Sequence, residues 1–197
     1  LVYNDDGYIE VDKNGNVAVK DDYMDDIYLG SVFPKYNLAW RNDFNYKGIN
    51  LGVLFTARIG GICYSATQAN MDLYGVSEAS AAARDAGGVM INGRDMIDAQ
   101  KWYQVIGSQS GLPQYYTYSA TNVRLQELSL GYTLPSKWFR DKMRMTVSFV
   151  GRNLWMIYCK APFDPEAVAS TGMNYQGIDY FMMPSMRNLG FNVKFQF

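Results

Sequence analysis

Histidine is missing from this chain of 197 residues. Its absence excludes catalytic triads built on imidazole and any metal site that needs a histidine ligand from this chain. No uninterrupted apolar run approaches the roughly 20 residues that a membrane helix needs, so a helical membrane protein is excluded too. The net charge is −1, which leaves no basic footprint for nucleic acid. Cysteine is scarce. Cys63 and Cys159 form no CxxC pair and no zinc spacing, and whether they bridge or stay as thiols is open from sequence. No signal peptide opens the chain at Leu1, and the reading is an internal start.

Aromatic residues are abundant. They make up 15% of the chain, with 16 Tyr, 10 Phe and 4 Trp, inside a hydrophobic fraction of 48%. Mean hydropathy is nevertheless −0.21. Alternating strands of a membrane barrel average away in this manner, and aromatic girdles or a sugar-binding surface would both use such rings.

The end of the chain shows the alternation most clearly. Leu189, Phe191, Val193, Phe195 and Phe197 alternate with Gly190, Asn192, Lys194 and Gln196. Successive side chains of a strand point to opposite faces, so this segment has one apolar face and one polar face. The same pattern recurs upstream. Tyr36, Leu38, Trp40, Phe44 and Tyr46 share a face, with Asn42 as the exception. Lys47-Gly48 reads as a tight turn, after which Ile49, Leu51, Val53, Phe55, Ala57 and Ile59 continue the apolar phase. A third strand is expected from Gln126, with Leu128, Leu130, Tyr132 and Leu134 on one face and Pro135 ending it. A fourth carries Met143, Met145, Val147 and Phe149, opposite Arg144, Thr146, Ser148 and Arg152. The hairpin strands are about ten residues long, above the ~5–6 of ordinary strands and near the ~9–11 of tilted membrane strands.

Long and short connections alternate. The expected plan is an outer loop over 1–36, a hairpin over 37–59, a long outer loop over 60–120, a hairpin over 124–155, an outer loop over 156–186 and a terminal strand over 187–197. A small hairpin is expected at Asn14-Gly15. Short helices are expected from Ser77 to Ala86, ended by Gly87-Gly88, and from Asp98 to Ile106, ended by Gly107. Bacterial barrels place long loops outside and short turns in the periplasm, which would leave this C-terminus periplasmic. About five strands cannot close a barrel whose minimum is about eight, so the expected fold class is all-β: C-terminal antiparallel strands of a large transmembrane β-barrel, with long loops carrying short helices.

Ordered motifs then point to a family. Ile27 to Lys35 (IYLGSVFPK), Tyr46-Lys47-Gly48, Arg124 to Pro135 (RLQELSLGYTLP), Gly151 to Leu154 (GRNL), Asp164-Pro165-Glu166 and Pro184 to Arg187 (PSMR) resemble the SusC/RagA family of TonB-linked outer-membrane transporters of Bacteroidetes. The resemblance implies a plugged barrel of about 22 strands. It also implies a SusD-like surface lipoprotein partner and uptake of a glycan or peptide driven through TonB, which would engage parts of the protein outside this chain. Leu189, Phe191, Val193, Phe195 and Phe197 resemble the signal read by the barrel assembly machinery.

Other residues invite narrower readings. Asp12-Lys13-Asn14-Gly15-Asn16 is similar to a calcium loop, with Asp21 and Asp22 as later ligands, although Val17 stands where that loop needs glycine. Asp12, Asn14, Asn16, Asp21 and Asp22 are therefore candidate calcium ligands, beside the plainer reading of a solvated acidic loop. Tyr115, Tyr116, Tyr118, Tyr175, Tyr180 and Phe181 are candidate ligand-stacking or membrane-interface aromatics. Met173, Met182, Met183 and Met186 read as gap fillers. The family resemblance implies that Asn153 bonds backbone where the fourth strand leaves the sheet. Neighbouring acids such as Asp5-Asp6 and Asp25-Asp26 do not make the opposed carboxylate pair of a glycosidase, so no enzyme is expected. The resulting expectation is the C-terminal barrel segment of an outer-membrane nutrient importer, in contact with outer-membrane lipid. The competing reading is a soluble all-β glycan-binding or adhesion module, whose apolar faces would pack on each other.

Overall fold

The computed structural model describes residues 1–19, 28–108, 111–140, 142–170, 172 and 175–197. In chain order the strands and helices are β1 (Tyr36–Tyr46), β2 (Ile49–Ile59), β3 (Ile62–Ser65), α1 (Ala66–Leu73), α2 (Glu78–Asp85), β4 (Val89–Ile91), β5 (Asp95–Ile97), α3 (Ala99–Gly107), β6 (Thr117–Ser119), β7 (Asn122–Thr133), β8 (Arg144–Cys159), β9 (Ile178–Asp179) and β10 (Asn188–Gln196). The chain divides into two compact units. No helix is long and apolar enough to cross a membrane, which says nothing of strands.

One unit comprises residues 31–62, 119–167 and 183–197. It is built on a five-stranded antiparallel sheet in the order β1-β2-β7-β8-β10. The pairing keeps every apolar phase on one face. Phe44, Leu51, Leu130, Phe149 and Phe191 form one row across all five strands. Tyr46, Ile49, Tyr132, Val147 and Val193 form the next on the same face. Between these rows, on the other face, lie Asn45, Asn50, Gly131, Ser148 and Asn192. Trp40 stacks on Phe55 at 5.7 Å and Phe149 meets Phe191 edge-on at 5.6 Å, so cross-strand aromatic pairs fasten the apolar face.

Two irregularities explain where the strands depart from simple alternation. Glu127 pairs Leu54 while Leu125 pairs Phe55, leaving Gln126 as an extra residue on β7. This bulge puts Leu125 and Leu128 in one phase although they are three apart, so β7 begins at Asn122 rather than at Gln126. Asn153 has φ +51 on β8, in the second irregularity, and β8 continues past it to Cys159 rather than ending near Trp155. Leu134 lies beyond β7, its amide donating to Met145 O.

The other unit comprises residues 1–30, 63–118 and 168–182 as far as they are described. Much of what reads in sequence as a long loop is thus a small packed body. Val17, Ala69, Ile91, Ile97, Trp102, Ile106 and Tyr116 form its core. Ser77 caps α2 and Asp98 caps α3, each side chain accepting an amide of the first turn. α1 has no counterpart in the sequence expectation. Its start is marked by Ser65, whose hydroxyl accepts the Gln68 amide at 3.2 Å, in the Ser-x-x-Gln spacing of a capping box. At the N-terminus, Tyr3 bridges Ile9 around a turn at Asn4–Tyr8, and Val11 bridges Val17 around the Asn14-Gly15 turn.

The β1–β2 turn allows a direct check. Lys47 and Gly48 both have positive φ, +48° and +87°, as a two-residue hairpin turn of this hand requires. A Cβ on Gly48 would lie 2.9 Å from Thr133 O. Gly48→Ala is therefore expected to destabilise the sheet by about 1–3 kcal/mol, read as a lower denaturation midpoint. Gly15→Ala, where no atom lies within 4 Å of the new carbon, should disturb this sheet far less.

Candidate functional site

The polar face of the sheet carries a charged row. Glu127 on β7 accepts from Arg152 Nε at 3.0 Å and lies 3.6 Å from Arg41 NH1, while Arg41 Nε reaches Asp43 at 2.9 Å. These groups belong to β1, β7 and β8, so one carboxylate ties strands on both sides of it. Gly52 makes room between them. A Cβ there would fall 2.5 Å from Ser129 Oγ and 2.9 Å from Asp43 Oδ1. Hydroxyl and amide groups continue the face, with Asn50 donating to Thr133 at 3.0 Å and Thr133 bonded to Thr146 at 3.0 Å.

Next to this row lies a deeply buried ion pair. Arg124 is 2% exposed and forks onto both oxygens of Asp164. Its Nε donates to Asn122 Oδ1 at 3.1 Å, and Glu166 lies 3.6 Å away. Ser185 donates to Asp164 through its hydroxyl at 2.5 Å and its amide at 3.1 Å, and the Glu166 amide donates at 3.0 Å. Asn153 Nδ2 donates to Ser185 O at 3.0 Å. Burial alone would raise the Asp164 carboxyl. The bonds from Arg124, Ser185 and the Glu166 amide outweigh burial and hold it down at about 2.

This cluster joins segments that are far apart in sequence. Arg124, Asn153, Asp164-Pro165-Glu166 and Ser185 each belong to a motif that carries the family resemblance, and here they meet. Asn153 does bond backbone, but at a mid-strand irregularity rather than at the strand end. No periodicity pairs Arg124 with Asp164. The available signal was an arginine two positions inside the start of a strand, together with an Asp-Pro pair that had no partner in the alternation.

The remaining expected residues fall in several places. Leu189, Phe191, Val193 and Phe195 share the apolar phase of β10, and Phe197 follows it, 98% exposed. Asp12 accepts the amides of Asn14 and Asn16, both at 2.8 Å, and the Asn16 side chain at 2.8 Å. The Asn16 bonds lower its pKa. Its oxygens thus close a turn, and Asn16 turns its amide nitrogen, not its oxygen, toward Asp12. Asp21, Asp22, Asp25, Asp26 and Met173 lie outside the described residues. Among the described residues no group of three or more acids or cysteines is placed to hold a metal ion. Tyr116 departs from its expected role: it is 2% exposed and donates to Asp72 at 2.9 Å, so it packs the core and has no free face for a ligand or lipid. Tyr118 is half-buried, donating to Gln68 at 2.6 Å, and Tyr115 sits edge-on to Trp102. Tyr175, Tyr180 and Phe181 are exposed. Arg144 stands on β8, and Arg58 donates to Val32 O at 3.1 Å. Cys159 donates to Ala161 O at 3.5 Å, and Cys63 is buried.

Comparison with known proteins follows the same line. No family model matches the chain. The TonB-dependent receptor P3 of Formosa agariphila is 25% identical over 198 residues, covering 95% of this chain and 19% of its own length. The RagAB peptide importer in its open-open state superposes with a TM-score of 0.60 at 17% identity, over 95% of this chain and 20% of that one. Its closed-closed state gives 0.58 at 20% identity. The chain spans about one fifth of the length of these relatives. The resemblance to SusC/RagA-like TonB-dependent transporters and the all-β fold class both find support here.

The ion pair has a pH consequence. Asp164 is depressed in the folded state, so its contribution is present above the ordinary carboxylate range and disappears as pH falls from about 4 to about 2. The shift is worth about 2 kcal/mol. Hydrogen exchange at the Glu166 and Ser185 amides is expected to accelerate across that window. In Asp164→Asn the exchange should be fast already and change little with pH.

Proposed function

We propose that the sheet is a stretch of the wall of an outer-membrane β-barrel, in a TonB-dependent importer of the SusC/RagA type. The observation that carries this reading is the continuous apolar face, spanning all five strands, on which Phe44, Leu130, Phe149 and Phe191 stand exposed. Water-soluble monomers rarely leave more than a few hundred Å² of contiguous apolar surface uncovered. A sandwich module would cover this face with a second sheet. Lipid fits it without one, and the opposite face then lines a wet interior with Arg41, Asp43, Glu127 and Arg152.

Both long connections, from β2 toward β7 and from β8 to β10, leave the same end of an antiparallel sheet. On this reading that end is extracellular and the C-terminus is periplasmic. The long connections become surface segments, available to a SusD-like lipoprotein and to the ligand. TonB acts through parts of the protein outside this chain, and β10 with Phe197 serves the assembly machinery. A peptide is favoured over a glycan as cargo, because the structural relatives are peptide importers. The role of these residues is passive: they hold the wall in lipid and shape its interior.

Adjacent positions on β10 test the reading in the full-length parent. Val193→Arg puts charge on the apolar face and is expected to cost about 2–4 kcal/mol near the membrane midplane, cutting recovery in the outer-membrane fraction. Asn192→Arg should be tolerated, and removal of Phe197 should slow assembly. Equal effects of the two arginines, or recovery in the soluble fraction, would sink the barrel reading.

A further inference from the structure

The helical unit holds a cavity that a barrel wall does not need. It measures about 220 Å³ and is lined by Asp72, Ser80, Tyr103, Tyr74, Arg84 and Gln100, among others. Asp72 and Ser80 are buried, whereas Tyr74, Arg84 and Gln100 are exposed, so the cavity runs from a buried wall to an open mouth. Such a volume falls below the roughly 300–1,000 Å³ of sites for drug-sized ligands and fits a single side chain.

Asp72 is its unusual member. The residue is 4% exposed, and its carboxylate accepts the hydroxyls of Ser77 and Tyr116. No ion pair to Asp72 is found among the described residues. A carboxylate accepts about four hydrogen bonds, so two neutral hydroxyls leave acceptor capacity as well as uncompensated charge. Burial without a cation is costly. Tyr103 feels this charge: burial first, and then Asp72, push its phenol above the usual range. At the mouth, Arg84 gives NH1 to Gly75 O at 2.7 Å and keeps other donors for a ligand.

We propose that this cavity binds a lysine residue at the free C-terminus of a peptide. The ammonium meets Asp72, the tyrosine rings of Tyr74 and Tyr103 flank the alkyl chain and its charge, and Arg84 takes the terminal carboxylate. A neutral sugar would satisfy hydroxyl bonding but leave the Asp72 charge unanswered. The inference rests on the reading of the chain as part of an importer whose ligand reaches this unit.

The test uses the full-length parent in detergent and fluorescence anisotropy with dansylated Gly-Gly-Lys, its C-terminal amide, and Gly-Gly-norleucine. Gly-Gly-Lys is expected to bind at least tenfold more tightly than the norleucine peptide. Asp72→Asn, which removes the charge but keeps one acceptor oxygen for the Ser77 or Tyr116 hydroxyl, should abolish that preference. Arg84→Gln should remove the preference for free acid over amide while lysine still outcompetes norleucine, a split that a merely structural role would not give. Tyr74→Ala should weaken lysine binding several-fold. Arg84 and Tyr74 are exposed, so their variants decide the matter even if Asp72→Asn does not fold. Equal binding of lysine and norleucine, a lysine preference that survives Asp72→Asn, or glucose competing as well as lysine would overturn the proposal. Such a result in a protein recovered from the outer membrane removes this site alone, whereas recovery in the soluble fraction removes the importer reading itself.

Discussion

Register is the constraint on which the sheet depends. The side-chain period of a strand is two, so a slip of one residue on any strand would send its apolar set to the polar face and its charges to the apolar one. Five strands hold the same phase here, from Phe44 on β1 to Phe191 on β10. In a wall that faces lipid, such a slip would place Arg152 or Lys194 in hydrocarbon. Length, turn chemistry and bulges all serve to keep that phase. The two-residue turn at Lys47-Gly48 fixes β1 against β2, and the extra residue Gln126 resets β7 so that Leu125 and Leu128 both serve the apolar side.

The polar face does a second job, by fastening segments that have no strand of their own. Arg124 sits just inside the start of β7, and its fork onto Asp164 draws in the segment after β8. Ser185, bonded to the same carboxylate, draws in the segment before β10. Asn153 holds that segment's backbone from a position where β8 is locally irregular. Replacing either member of the pair would strand a buried charge, which is more damaging than the pair itself is stabilising. The cluster thus explains why residues in four separate motifs occur together: they are parts of one joint.

Much of the fold was legible in the sequence because alternation is a local signal. β1, β2 and the apolar phases of β8 and β10 follow directly from every second residue, and Ser77 and Asp98 announce their helices. Legibility failed where geometry departs from period two or where partners are distant. Gln126 hides the first part of β7, because alternation counted through a bulge reverses its faces. α1 was concealed by its weakly apolar sequence, although Ser65 and Gln68 stood at capping-box spacing. Tyr116 looks in sequence like its neighbours Tyr115 and Tyr118, and only tertiary packing makes it a core residue bonded to Asp72. The Arg124–Asp164 joint and the Asp72 cavity are products of the assembled fold. For the calcium reading, Asp12 and Asn16 were read as candidate ligands; in the fold the oxygens of Asp12 accept the amides of Asn14 and Asn16.

The most direct measurement is a spin-label scan of β10 in the full-length parent, reconstituted in lipid vesicles. Labels would be placed singly at 191, 192, 193, 194 and 195, and collision with oxygen compared with collision with a water-soluble nickel chelate. Oxygen contact peaking at 191, 193 and 195, with chelate contact peaking at 192 and 194, is the expected result. Chelate access at all five positions, or no two-residue period, would contradict a lipid-facing wall.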